Sequence, residues 1–214
     1  MTWILDHLDV LFATSLDHLW LALIPVVAGL LISLPLGWMA SRWRLAKSIL
    51  VPTAGMLYTI PSLALFVLMP LILGTQILDP LNVIAALTIY TVALLVRSVA
   101  DALAAVPPAV TAAATAMGYR PLGRFFAVEL PLAVPVLLAG VRVATVSNIS
   151  LVSVGALIGV GGLGKFFTEG YQRGNPAEII AAIVAILVLA LLMELILVIT
   201  GRVLTPWARA GGTR

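Results

Sequence analysis

Residues 106–131 read VPPAVTAAATAMGYRPLGRFFAVELP, an alanine-rich stretch punctuated by proline and glycine in a chain that is otherwise almost continuously apolar. Hydrophobic residues make up 62% of the 214 positions and charged residues only 10%. Mean hydropathy is +1.17. On either side of this island lie apolar stretches near residues 19–40, 50–73, 83–105, 132–158 and 178–203. Each is long enough to cross a bilayer, because about 20 helical residues span about 30 Å of hydrocarbon. Lipid offers the backbone no hydrogen-bond partner, so spanning segments must be helices or closed barrels. The alternating pattern of a barrel strand is absent. The expected fold is therefore an all-α polytopic membrane protein with about five core spans. Its polar island leaves the bilayer between the third and fourth span, flanked by prolines, as a segment presented to a partner.

Charge placement orients the chain. Arg42, Arg44 and Lys47 follow the first span, Arg120 and Arg124 lie in the island, and Arg202, Arg209 and Arg214 follow the last span. These are eight of the twelve basic residues, all on one side of a five-span arrangement. The other side carries Lys165 and Arg173 among Asp6, Asp9, Asp17, Asp79, Glu169 and Glu178. Excess lysine and arginine marks the cytoplasmic face. The expected topology in the cytoplasmic membrane is N-terminus out, C-terminus in, with residues 106–131 cytoplasmic. The basic excess is an orientation signal and not a nucleic-acid footprint. Residues 2–16 read as a short amphipathic helix at the interface, so a sixth helix, interfacial or spanning, precedes the core. No basic region precedes the first apolar run, which does not read as a cleaved signal peptide.

The same composition removes several chemistries. With no cysteine there is no disulfide, thiol nucleophile or thiolate metal site. His7 and His18 lie near the start beside aspartates and read as solvated or interfacial, so no metal site and no catalytic constellation is expected.

Within the spans, Pro52, Pro61 and Pro70 predict kinks in the second. The break at Thr59-Ile60-Pro61-Ser62 reads either as an ordinary membrane-helix kink or as a flexible pathway wall, with Pro61 and Ser62 as its candidate residues. Arg97 and Asp101 stand four apart, a spacing that permits an ion pair. Arg142, Thr145, Asn148, Ser150 and Ser153 recur at short helical intervals, predicting a polar stripe along the fourth span. An arginine inside the membrane must face protein or water. The stripe reads as a hydrogen-bonded helix seam, aided by the spacing Gly155-xxx-Gly159, or as a translocation pathway wall. Glu194 in the last span is expected to pair with a neighbouring helix.

Residues 159–166, GVGGLGKF, match two nucleotide-binding patterns that the context refuses. A P-loop continues with Ser or Thr to hold magnesium, whereas here Phe166 follows Lys165. Neither the preceding strand nor a βαβ unit is available. Gly161, Gly162 and Gly164 read instead as structural glycines that allow a sharp turn and close helix approach. The chain thus carries no ATP site of its own.

With these residues in view, the island resembles the cytoplasmic EAA loop of binding-protein-dependent ABC importer permeases. The family pattern is Glu-Ala-Ala, three residues, Gly, and about a dozen residues later Leu-Pro. Here Ala112-Ala113-Ala114 is followed by Gly118 and then Leu130-Pro131, with Ala112 in place of the glutamate. Tyr58-Thr59-Ile60-Pro61-Ser62-Leu63-Ala64, Leu130-Pro131-Leu132-Ala133-Val134-Pro135, Ala139-Gly140-Val141-Arg142 and Gly161-Gly162-Leu163-Gly164 resemble segments of the osmoprotectant branch, whose cargoes are glycine betaine, carnitine and choline.

The resemblance implies a type I importer transmembrane domain over residues 19–205, after an external or interfacial helix at 1–18 and before a cytoplasmic tail at 206–214. It implies a second permease subunit, two copies of an ATPase that uses ATP and magnesium, and an external substrate-binding protein. The coupling residues would be Ala112, Ala113, Ala114, Gly118, Arg120, Leu130 and Pro131; the candidate pathway or interface would use Pro61, Ser62, Arg142, Thr145, Asn148 and Ser150. Quaternary ammonium groups are held by aromatic cages through cation–π attraction. No aromatic cluster in the sequence suggests one, so selectivity is expected in the binding protein. The rival readings are an ABC permease for another solute such as an amino acid, an ATP-independent secondary transporter, which would often carry an inverted repeat, and a non-transporting membrane scaffold.

Overall fold

A computed structural model describes residues 7–207 of the chain, and the described residues form helices joined by turns, without strands. The first helix, α1 (Leu8–Arg42), runs 35 residues with Pro25 and Pro35 inside it. Of the interfacial helix expected over residues 2–16, residues 8–16 belong to α1, and residues 2–6 lie outside the described residues. The reason is packing, because Leu11 is buried in a cluster with Leu163, Phe166, Ala181 and Ala182. No breaker between Leu8 and Asp17 interrupts the helix.

The second apolar stretch is two helices, α2 (Arg44–Tyr58) and α3 (Ser62–Leu73), bent by 105° at the Thr59–Pro61 break. Pro61 lacks an N–H and takes an extended ψ of 132°, which starts α3 in a new direction. The Tyr90 hydroxyl donates to the Ile60 carbonyl that the break leaves free. The predicted kink is thus a full corner.

Helix α4 (Pro80–Ala104) begins with Asp79 as N-cap, its carboxylate accepting from the Leu81 N–H at 2.9 Å, and with Pro80 at the first helical position. It is the central helix, with more than half of its most apolar window buried. Glycine faces let its neighbours approach closely. A Cβ at Gly29 or Gly37 of α1 would run into Thr91 or Val99 of α4. A Cβ at Gly140, on the fourth span, would lie 2.8 Å from Ser98.

The island folds as α5 (Pro108–Ala116), a turn, and the short α6 (Pro121–Arg124), which runs through a π-helical turn (Phe125–Glu129) into α7 (Leu130–Gly155). A 3-10 turn (Ala156–Ile158) and a glycine loop lead to α8 (Lys165–Gln172) and the last span, α9 (Pro176–Leu204). Only 6% of the most apolar window of α9 is buried, so this helix presents most of its surface to lipid or to another subunit. Among the described residues, four helices are long and apolar enough to cross a membrane, or five with the bent α2–α3 pair as one span.

Candidate functional site

The island begins with the short helix α5, set between α4 and the helical run that leads into α7. Proline at the start and small residues throughout give α5 a slim helix, on which Ala112 and Ala113 are exposed and Ala114 is fully buried. Gly118 ends it at φ +87°, a left-handed backbone conformation that favours glycine, with open space around it. Arg120 is exposed and its extended backbone hands over to Pro121. Leu130 and Pro131, both partly buried, open α7. The structure therefore brings the sequence-predicted loop residues into one helix–turn–helix unit.

Inside that unit lies a contact that helical spacing rules did not flag. Arg124 donates through Nε to Glu129 Oε1 at 2.5 Å and through Nη1 to Thr115 Oγ1 at 2.6 Å. Both charged residues are 8% exposed. Because the partners stand five apart, the α-helical rule of three or four does not pair them. Phe125 of the π turn packs at a tilt against Trp38 near the end of α1, with ring centroids 5.8 Å apart.

The polar stripe expected on the fourth span is split. Steps of three residues fall about 60° short of a full helical turn, so the stripe winds around α7. Thr145 and Asn148 are buried, and the Asn148 amide donates to Thr91 Oγ1 at 2.9 Å and to the Ala22 carbonyl at 3.3 Å. Asn148 thus ties α7 to α1 and α4, as the seam reading has it, while the Thr145 hydroxyl donates to the Val141 carbonyl of its own helix. Arg142 instead reaches α9, where its Nε donates to Glu194 at 2.9 Å, and Nη2 contacts the same carboxylate oxygen. This is the neighbouring-helix pairing foreseen for Glu194. The pair remains 39% and 31% exposed and lines a groove of about 650 Å³ between α7 and α9. Ser150 is exposed and shares neither contact set. Gly155 and Gly159 do not form a helix seam, because α7 ends at Gly155 and Gly159 is left-handed, at φ +81°. Arg97 and Asp101 make the expected ion pair, at 3.6 Å on the surface.

A second groove, of about 630 Å³, lies between α2, α4 and α7 and is lined by Gly55, Tyr58, Arg97, Ala139 and Val143. Ala139 and Val143 also line the α7–α9 groove, so one face of α7 is open on both sides. Tyr58 meets Tyr90 edge-on at 5.7 Å. Only Tyr58 of the two is exposed, which falls short of an aromatic cage. Pro61 is exposed and Ser62 half-buried beside the corner.

The glycine loop has a structural anchor. His18, expected to be solvated, is fully buried. The Leu163 N–H donates to its Nδ1 at 3.1 Å, so the proton sits on Nε2, which donates to the Ile149 carbonyl at 2.7 Å. A histidine with both nitrogens satisfied can be buried at low cost. Gly162 has φ +80°, and a Cβ there would lie 2.9 Å from His18 Nδ1. Gly164 is similarly crowded by the Ser153 backbone, while Gly161 faces open space. The loop packs on a histidine and opens no phosphate cradle. Among the described residues no cluster of histidine and carboxylates could hold a metal ion.

Comparison with known proteins bears on this arrangement. Residues 29–210 match the family described as binding-protein-dependent transport system inner membrane component. The osmoprotectant import permease protein OsmW of Salmonella typhimurium is 34% identical over 207 residues, covering 95% of this chain and 96% of that protein. The glycine betaine/carnitine/choline transport system permease protein OpuCB of Bacillus subtilis is 29% identical, covering 92% and 89%. Among solved structures, an inward-facing MetNI methionine ABC transporter superposes with a TM-score of 0.80 at 25% identity, covering 94% and 98% of the two chains.

Proposed function

Because this chain belongs to the family of binding-protein-dependent transport system inner membrane components, we propose that it imports osmoprotectants as the permease subunit of an ATP-driven transporter. The fold is that of a type I ABC importer transmembrane domain. The cargo class, glycine betaine, choline or carnitine, is supported by what the similar permeases are named for. This chain does no chemistry itself. Two copies of a separate ATPase, using ATP and magnesium, drive it, a second permease subunit completes the pathway, and an external binding protein delivers solute.

The observation that carries the reading is the exposed helix α5 with its left-handed stop at Gly118. A slim helix outside the spans, with Ala112 and Ala113 free to meet another surface, suits a groove on a partner. Rigid-body motion of such a docked helix is how one interface drives another. Ala112, Ala113, Ala114, Gly118, Arg120, Leu130 and Pro131 then form the coupling element. The grooves beside α7, one of them lined by Arg142, border the pathway, with Pro61 and Ser62 at the α2–α3 corner as further candidates. Asn148 holds the spans together behind it, with Thr145 buried one turn away. The permease domain spans residues 19–205, oriented with its N-terminus outside and its C-terminal tail in the cytoplasm, the side given by the basic residues.

Gly118→Val tests docking, since a β-branched residue resists positive φ. The expected outcome is normal membrane insertion with loss of both ATPase co-purification and glycine betaine uptake in reconstituted vesicles. Normal uptake by that variant overturns the docking role.

A further inference from the structure

The buried Arg124–Glu129 pair does more than neutralise two charges. In an α-helix, residues five apart sit about 140° apart around the axis, on different faces. The wider π turn, in which the Leu130 N–H reaches back to the Phe125 carbonyl, brings positions 124 and 129 together. The ion pair and the π turn therefore require each other. A π turn inside a helix is rare and is found mostly at functional sites. Arg124 also holds the Thr115 hydroxyl of α5, and that hydroxyl in turn donates to the Thr111 carbonyl at 2.8 Å. One guanidinium thus joins the exposed helix to the first turn of the fourth span. Thr111, Ala112, Thr115, Arg124 and Glu129 line a single cavity of about 300 Å³.

We infer that Arg124, clasped between Glu129 and Thr115, is the strut through which displacement of α5 is passed to α7. This rests on the reading of α5 as the ATPase-docking helix. Arg124 and Glu129 are positioning residues: they touch neither nucleotide nor solute and act by holding α5 and α7 as one body. Without the pair, the π turn loses the contact that fixes its register. α5 can then move with its partner while α7 stays behind. Because Ala112 lines the same cavity, a carboxylate introduced there can reach the guanidinium left unpaired by loss of Glu129.

The test uses the whole complex, permease with its cognate ATPase and binding protein, in vesicles with glycine betaine as the probe. Glu129→Gln keeps the shape and removes the charge. The expected result is an ATPase that still co-purifies, uptake reduced by about tenfold, and more ATP hydrolysed per solute moved. Adding Ala112→Glu to that background is expected to bring the ATP-to-solute ratio back toward wild type, a change that a merely structural role would not produce. Thr115→Val, on the exposed helix, serves if Glu129→Gln fails to accumulate, and is expected to raise the same ratio. An unchanged ratio in Glu129→Gln, or in Thr115→Val where that variant stands in, overturns the strut. So does a double variant that co-purifies with ATPase yet stays as uncoupled as Glu129→Gln alone. Failure of the docking reading looks different, because wild-type permease would then not retain the ATPase at all. If wild type retains it but moves no glycine betaine, only the cargo is wrong, and hydrolysis stimulated by the binding protein gives the same comparison.

Discussion

Helix α7 and the turn leading into it carry two arginine–glutamate pairs of opposite character. Arg124–Glu129 is local in sequence, buried, and set in the π turn that leads into α7. Arg142–Glu194 joins residues 52 apart, halfway along the span, and stays about one-third exposed in an open groove. The chemistry is the same and the surroundings decide the consequence. A buried pair whose partner is removed leaves an uncompensated charge in a low dielectric, whereas a half-exposed one can recruit water or another subunit. The first pair fixes the register of one element; the second staples two spans at a place where the protein is open.

That contrast can be broken most sharply at Arg124. Arg124→Ala strands Glu129, and the expected loss is about 3–5 kcal/mol of stability, read as a large drop in thermal midpoint in detergent. Replacing both partners with leucine should recover most of that loss without restoring uptake. His18, buried but neutral, falls between the extremes. His18→Ala leaves the Leu163 N–H without its partner at a cost of about 1–3 kcal/mol, seen as a smaller midpoint shift and faster proteolysis of the 159–164 loop. Arg142→Leu is expected to lower the midpoint less than His18→Ala, and the exchange Arg142→Glu with Glu194→Arg to restore it. A midpoint drop from Arg142→Leu as large as that from Arg124→Ala would erase the distinction between the pairs. At the exposed end, Arg97→Ala breaks an i, i+4 pair worth only about 0.3–0.5 kcal/mol, so its midpoint should hardly move.

What the sequence made legible follows the same division. Hydropathy located the spans because burial in lipid acts on every residue of a stretch at once. The island's proline and glycine marked α5 and the Gly118 turn, since backbone conformation is dictated locally there. Apart from the neighbouring-helix pairing of Glu194, contacts made by tertiary approach were largely hidden. His18 looked solvated beside Asp17, and nothing in its neighbourhood announced that the 159–164 loop would close over it. Glu129 escaped because helical pairing rules look three or four residues away, while the π turn brings in the fifth. The start of α1 was misplaced for a related reason. Residues 2–16 look amphipathic and hence interfacial, although Leu11 and Thr14 pack inside. The stripe of Arg142, Thr145 and Asn148 was real as composition and misleading as geometry, since a three-residue step drifts around the helix.

The central claim is that solute crosses at this chain only when a separate ATPase, docked at α5, hydrolyses ATP. It is tested most directly by uptake of labelled glycine betaine into vesicles holding the permease, its cognate ATPase and the binding protein, with ATP enclosed and ion gradients collapsed. Uptake should proceed under those conditions and stop when ATP is omitted or Gly118 is replaced by valine. Uptake that continues without ATP on an imposed ion gradient would contradict the claim and return the chain to the secondary transporters.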